Sequence, residues 1–583
     1  MTAHTPPRNL ILSIALLQGL MLFGLYKTFD LNVWPSDSPA WFMPLWAIAV
    51  LTPVVVQLSL TQANAVILAR GVLVLMTILA LTGVYTGWQM LAESVGRSSA
   101  IVATFCISTT VAVFKALIYG QRWMLAQQSG QSEPGSGYAL LFLLSWRNFL
   151  TGVLAGLFVV GVGLVLALWA GLFSVIGIEF FSELFTKDWF LFPVLSVAFG
   201  LGVLIFRTLD QVIDSITRLL EGLFRLLLPL VVLLAVVFVA TLPFVGLQPL
   251  WDTGNGTALL MILLGGLLFS LNAVYQDGSA SVYPSTIQWG MCVGVVLLPV
   301  IASLAGYGLW LRLAQYGLTV ERCWALFVWV FLAAFSLGYV WGVLRHRLRW
   351  VQTLGFVNTR LGMVLGVALV LVNTPLLDFR KLSLSSQVGR VESGAITWAE
   401  FDACYVHQNL GAPGERLLQA QLEAGNLDAS TFEGTFCHRG AMPPAQVWDR
   451  IKVYPAGVEV PEALREKIVA SISLTPDIRY ALLQVQIREA SEHPDFVLLE
   501  VHDNYSYARY FTLRPQLMAF QDSDPTQSGE AAPLVWQDEH MIGNPGEGLD
   551  AKVLFEALEK GAYSTQPSLT RDLVIDGVRF RSY

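Results

Sequence analysis

Eleven apolar runs, each near the length of a bilayer-spanning helix, constrain this 583-residue chain more than any motif in it. A hydrocarbon core of about 30 Å needs roughly 20 apolar residues in a helix, because every backbone N–H and C=O inside it must be paired within the protein. The runs lie near 10–27, 40–60, 71–91, 99–119, 148–173, 189–206, 226–246, 258–276, 290–311, 323–343 and 361–377. The last is the shortest, and Pro375 ends it. The first follows Arg8, but Tyr26-Lys27-Thr28 lacks the small residues of a signal-peptide cleavage site. It reads as a retained first helix.

Charge divides the chain in two. Only 13% of its residues are charged, against about 25% in a soluble domain, which excludes an ordinary cytoplasmic enzyme. Residues 1–375 hold 17 Lys+Arg and 13 Asp+Glu, a net of +4, whereas residues 376–583 hold 18 and 29, a net of −11. The expected fold is an α-helical polytopic membrane bundle of about eleven spans over 1–377. A soluble α+β domain with an antiparallel sheet is expected over 378–583.

Positive charge is retained in the cytoplasm. With the N-terminus inside, inner segments carry Arg8, Arg70, Lys115, Arg122, Arg147, Arg207, Arg218, Arg225, Arg345, Arg347, Arg349 and Arg360. Outer ones carry Lys27, Arg97, Lys187, Arg312 and Arg322. Twelve against five favours that orientation, and an odd span number then puts the tail outside.

Charge at mid-depth marks a transport path, because it is costly in hydrocarbon without a partner or water. No carboxylate is expected there. Lys115 is read in the last turn of the fourth span, where it can snorkel, and Asn272 and Asp277 close the eighth. Gly152-x-x-x-Gly156 and Gly362-x-x-x-Gly366 permit close helix packing. Residues 209–225 form an amphipathic segment leading into the seventh span. Its polar face carries Asp210, Asp214, Arg218, Glu221 and Arg225, with two i,i+4 pairs in the favourable order. A solvated elbow and an interfacial coupling helix both fit it. Residues 178–188 resemble it on the outer side, with Glu179, Glu183 and Lys187 over phenylalanines.

In the tail, Thr397-x-x-Glu400 suggests a capping box for a helix near 398–410. Pro413 and Pro461 stand at first helical positions of helices over 415–423 and 461–472. Alternating runs at 480–488, 496–502 and 505–513 predict strands, a helix is expected at 549–561, and Asp576-Gly577 marks a hairpin turn. Cys404 and Cys437 are the two tail cysteines, and an exported domain would join them in a disulfide; two unpaired thiols are the alternative. A zinc site of Cys404, His407 and Cys437 is a further reading. It is weakened because Cys437 and His438 are adjacent and structural sites prefer a gap between ligands. His493, His502 and His540 read as exposed polar residues, since no nucleophile elbow or His-Glu-x-x-His helix accompanies them. No phosphate-binding loop, cofactor motif or basic nucleic-acid stripe is found, so the expected partners are the lipid bilayer and an envelope protein or lipid.

The stretch Pro375–Gly394, PLLDFRKLSLSSQVGRVESG, followed by Phe401-Asp402 and Leu410-Gly411, resembles the start of the periplasmic region in a bacterial family. That family is domain-of-unknown-function family 4153. The resemblance extends over Ser145–Leu150 and the 207–228 segment, and departs most after about residue 500. It implies a multi-span inner-membrane protein with an extracytoplasmic tail and brings no catalytic residues with it. Three functions stay open. The tail could bind or sense an envelope partner, with the bundle as anchor or relay. The bundle could be a transporter or lipid-handling carrier. The outer face could act on lipid-linked substrate, with Glu179, Glu183, Arg312 and Arg322 as its candidates.

Overall fold

The computed structural model describes residues 6–90, 99–129, 137–252, 254–275, 282–427, 448, 451–471, 479–485, 494–501, 506–515, 534–541, 558–560, 573–575 and 578–580. The chain packs as two units, Met1–Asp428 and Ala429–Tyr583.

The first unit contains α1 (Arg8–Asp30), α2 (Pro39–Ser59), α3 (Ala65–Gln89), α4 (Ser99–Ser129), α5 (Gly137–Val175), the short α6 (Phe180–Phe185), α7 (Asp188–Thr208) and α8 (Asp210–Val245). The short α9 (Gln248–Asp252) follows, then α10 (Gly256–Val274), α11 (Ser285–Tyr316), α12 (Val320–His346) and α13 (Leu354–Leu371). Ten helical stretches among the described residues are long and apolar enough to cross a bilayer. The last, Val320–Leu371, has 52 residues and would run about 78 Å if straight. It is broken instead by a 3-10 turn, Arg347–Thr353, in which Arg347 takes a φ of +51°. Beyond the turn, Val357 lies against Gly338 and Thr353 against Gly342, so α13 returns antiparallel along α12. Counting α12 and α13 separately, eleven long apolar helices lie among the described residues.

Contacts between helix ends show which side each pass reaches. Lys27 pairs with Asp188 at 3.0 Å, and the backbone of Pro39 closes on Gly87, which gathers these residues at the Asp30 end of α1. At the Arg8 end, Arg207 donates to the backbone O of Gln57 and Leu60 at 2.6 and 3.0 Å. It thereby caps carbonyls left open at the C-terminus of α2. Gln121 reaches Leu58 O, and Tyr138 meets Asn272, on the same side. Tyr85 and Gln89 then meet Asp378, so the chain leaves α13 on the side opposite Arg8.

Side-chain burial runs opposite to a water-soluble fold. Leu157, Leu164, Leu168 and Phe244 are each more than 60% exposed, as lipid-facing residues must be. Close approach is instead made by small residues, with Gly200 against Ala15, Gly202 against Ala155 and Gly83 against Pro44. A Cβ added at Gly152 or Gly156 would meet nothing within 4 Å, so that pair sits at no helix contact. Gly362 and Gly366 do face a neighbour, α4.

The change in composition at 377/378 and the packing break at Asp428 fall at different places. Between them α14 (Phe379–Glu392), α15 (Ala403–Asn409) and α16 (Gly411–Glu423) are polar helices that pack on the end of the bundle. The helix expected at 398–410 begins only at Ala403, because Asp402 caps it through the N–H of Tyr405. Thr397 and Glu400 close a turn before it.

The second unit holds β1 (Ile451–Tyr454), α17 (Glu462–Ser471), β2 (Arg479–Val485), β3 (Asp495–Val501), β4 (Ser506–Pro515), β5 (Leu534–Met541), β6 (Leu573–Ile575) and β7 (Val578–Phe580). Strands β1 to β5 form one sheet in sequence order, and β6 pairs with β7 across Asp576-Gly577 as a hairpin. The sheet is mixed rather than wholly antiparallel. The connection from β1 to β2 passes through α17, and such a crossover returns the chain parallel. Tyr480 and Leu482 point to Leu464 and Ile468 of α17, whereas Ala481 and Leu483 point to Leu558 on the other face. Asp538, Glu539 and His540 lie in β5. As the edge strand of the sheet, β5 tolerates such a charged run. The expected helix at 549–561 lies largely outside the described residues.

Candidate functional site

The bundle has two cores. One joins α2, α3 and α4 with parts of α5 and α7, and the other joins α8, α10, α11, α12 and α13. Where α4 and α5 meet α10, α12 and α13, a cavity of about 410 Å³ remains open. That is within the range of small-molecule sites, about 300–1,000 Å³. Eight of its sixteen lining residues are aromatic, which suits an apolar guest. Phe149 on α5 and Phe269 on α10 are 53% and 55% exposed, so this rim faces the lipid.

Three polar side chains of the lining, Tyr138, Asn272 and Asn358, form one wall, backed by Tyr339 on a fourth helix. Asn358 Nδ2 on α13 donates to Tyr138 Oη on α5 at 2.7 Å and to Asn272 Oδ1 on α10 at 2.5 Å. Tyr138 donates to Asn272 Oδ1 at 3.1 Å. Tyr339 on α12, fully buried, donates to Asn358 Oδ1 at 2.6 Å and accepts from Asn272 Nδ2 at 2.7 Å. Tyr119 on α4 donates to Thr359 O at 2.7 Å. Buried polar groups must be paired in a bundle without water, and this network pairs them by joining both cores.

Among the described residues, Lys115 is the one charged side chain in the lining. Helix α4 continues to Ser129, so Lys115 lies in mid-helix and not in a last turn as expected. Its Cβ lies opposite Gly366 and its Nζ opposite Gly362, near the middle of α13. A Cβ at Gly362 would stand 2.7 Å from Tyr119 Oη and 3.8 Å from Lys115 Nζ, so only glycine leaves that space free. Among the described residues no acceptor pairs with the ammonium.

A second polar cluster sits where the chain leaves the bundle. The Asp378 carboxylate, 1% exposed, accepts from Tyr85 Oη at 2.6 Å, Gln89 Nε2 at 3.3 Å and Arg380 Nε at 3.2 Å. Its other role is to cap α14 through Arg380 N at 2.9 Å. Helix α14 then lies along the turn between α11 and α12. Ser383 donates to Leu318 O, Gln387 donates to Tyr316 O and Leu318 O, and Arg390 donates to Gln315 O. Ser386 accepts from Leu318 N. These residues recur every three or four positions, so one helix face saturates the turn.

The sequence profile described as Domain of unknown function (DUF4153) matches residues 42–419, or 378 of 583. The chain belongs to that family. In this DUF4153 member the matched part runs from α2 into α16, so it contains both the seam cavity and the clamp on the α11–α12 turn, and it ends before the second unit. No curated protein and no solved structure matches the chain.

The other expected residues fall elsewhere. Cys404, the second residue of α15, is disulfide-bonded, whereas Cys437 lies outside the described residues. A disulfide sulfur is no thiolate ligand, and His407 Nδ1 is engaged with Glu415 Oε2 at 2.9 Å. On α8 the side chain of Asp210 lies outside what the structure describes. Arg218 Nε donates to the backbone O of Asp214 at 3.2 Å, not to its carboxylate. Glu179 and Glu183 belong to the α6 region against α5 and α7, while Arg312 donates to Gly254 O and Arg322 to Gly317 O. Those two arginines cap carbonyls and do not converge on the carboxylates. His493 and His502 lie outside the described residues. Sequence reasoning missed Tyr138, Tyr339 and Asn358, whose one signal is polar side chains inside apolar runs.

Proposed function

We propose that this family member is a lipid-handling protein of a bacterial inner membrane, which takes an amphiphile from the bilayer into the seam cavity. The observation that carries this reading is the cavity itself, aromatic in lining, rimmed by lipid-facing Phe149 and Phe269, and polar on one wall. Among the described residues the lining holds a single cation and no carboxylate, which suits an anion better than a coupled proton or cation. The Arg8 end carries Arg8, Arg70, Arg122, Arg147, Arg207, Arg218, Arg225, Arg345, Arg347, Arg349 and Arg360 against Lys27, Lys187, Arg312 and Arg322 at the other. That bias supports a cytoplasmic Arg8 end and a periplasmic root for the tail. A photoactivatable lipid incorporated with the full chain is expected to label α5 and α10 peptides around Phe149 and Phe269. Labelling spread evenly over lipid-facing positions such as Leu164 and Leu168 would overturn the carrier reading.

A second reading is favoured by the α14 clamp. The tail binds an envelope partner and the bundle relays the event, since α14 holds the α11–α12 turn and α12 leads to Tyr339. The second unit carries 14 Lys+Arg and 22 Asp+Glu, a net of −8, so the partner would be basic. Photo-crosslinkers placed at exposed Glu462 and Arg479 in cells should trap one basic envelope protein. Trapping only water-quenched product at both positions sinks this second reading.

A further inference from the structure

On the reading that the seam cavity holds an amphiphile, its donors identify the class of that ligand. We infer that the guest is an amphiphile with one anionic head, selected by the charge of Lys115 and not by the shape of the head. The hydroxyl and amide donors of the wall are already committed. Asn358 gives both amide hydrogens to Tyr138 and Asn272, and Asn272 gives both of its own to Leu268 O and Tyr339. Tyr138, Tyr119 and Ser145 donate to Asn272, Thr359 O and Leu141 O. An amide has two hydrogens and a hydroxyl one, so these amides and hydroxyls keep none for a neutral polar head.

The ammonium of Lys115 is different. It has three hydrogens, no acceptor among the described residues, and a place beside the aromatic space. A cation at such depth is costly until an anion or water meets it. One anionic oxygen group meets it, and the aromatic walls take the chain. Because the ammonium offers a point charge and no shaped head-group site, a carboxylate and a phosphate monoester should serve alike, and a neutral alcohol of the same chain should bind far more weakly.

The test is equilibrium binding of radiolabelled oleate, oleyl phosphate and oleyl alcohol to the full chain in phosphatidylcholine nanodiscs at pH 8. Wild type, Lys115→Met and Gly362→Leu are compared. Wild type should hold both anions about ten- to a hundredfold tighter than the alcohol, as for a charge-assisted contact. Lys115→Met should bring all three to the alcohol's affinity. Gly362→Leu fills the space beside Tyr119 and should abolish saturable binding of all three. An alcohol bound as tightly as the anions, or an anion preference kept in Lys115→Met, overturns the inference and leaves the amphiphile reading standing. Binding unchanged in Gly362→Leu, or no saturable binding to folded wild type, overturns the amphiphile reading itself. Inorganic phosphate that displaces oleate at equal concentration would show that the head alone is the ligand, and that also overturns the inference.

Discussion

Two regions of this bundle place charge where water is scarce, and they treat it in opposite ways. At the root of the tail, Asp378 is surrounded by Tyr85, Gln89 and Arg380, and every one of those contacts is a hydrogen bond. In the seam cavity, Lys115 has aromatic walls and no acceptor among the described residues. A buried charge that is fully met holds structure together, and on the reading proposed above one left open is kept for something that arrives. The first is then a joint and the second a proposed site.

The difference can be broken by substitution. Asp378→Ala should have the largest effect, because it strands Arg380 and frees Tyr85 and Gln89 together. Removing one partner of a buried pair costs roughly 3–5 kcal/mol, so the thermal midpoint of the detergent-solubilised chain should fall sharply. An unchanged midpoint would mean that the root is not a joint. Lys115→Met should move stability the other way, by about 1–2 kcal/mol upward, since it removes an unpaired cation from the bundle. Destabilisation there would reveal a hidden acceptor and would erase the contrast between the two regions.

Gln387→Ala removes one of the two donors at each of Tyr316 O and Leu318 O, leaving Arg322 and Ser383 there, and should cost about 1 kcal/mol. Faster hydrogen exchange confined to residues 316–320 would place that loss at the clamp. The smallest effect concerns Glu400, which is exposed. The backbone N–H and hydroxyl of Thr397 hold its carboxyl below the usual carboxylate range. A depressed carboxylate contributes stability that is present above its unfolded pKa and is lost as pH falls through its folded pKa. Thr397→Ala should raise the Glu400 pKa only part of the way, because the backbone donor remains. An NMR titration that shows no movement would mean that the hydroxyl contributes nothing to the depression.

Much of the bundle is legible in the sequence because its signal is local. A run of twenty apolar residues states its own length, and helix α8 and the hairpin at Asp576-Gly577 fall where spacing and turn chemistry put them. Lys115 is misplaced by sequence because the apolar run near 99–119 ends before the helix does. The polar stretch to Ser129 continues the same helix and moves Lys115 from its end to its middle. Strand β5 escapes for a related reason, since Asp538, Glu539 and His540 alternate weakly and only the sheet's edge accommodates them. The Gly362-x-x-x-Gly366 spacing is visible in the chain, but not that it leaves room for Tyr119 and Lys115.

Sequence alone determined that this chain crosses a bilayer many times, carries its positive charge mainly at one end, and continues into a polar α+β tail. Those properties follow from hydrophobic length and charge balance, which are sums over neighbouring residues. The tertiary structure decided the rest. The antiparallel return of α13 along α12 split the last apolar stretch into two helices, and the meeting of Tyr138, Asn272, Tyr339 and Asn358 joined four separate helices. Whether a buried polar group is satisfied depends on partners up to 293 residues away, and no local pattern encodes them.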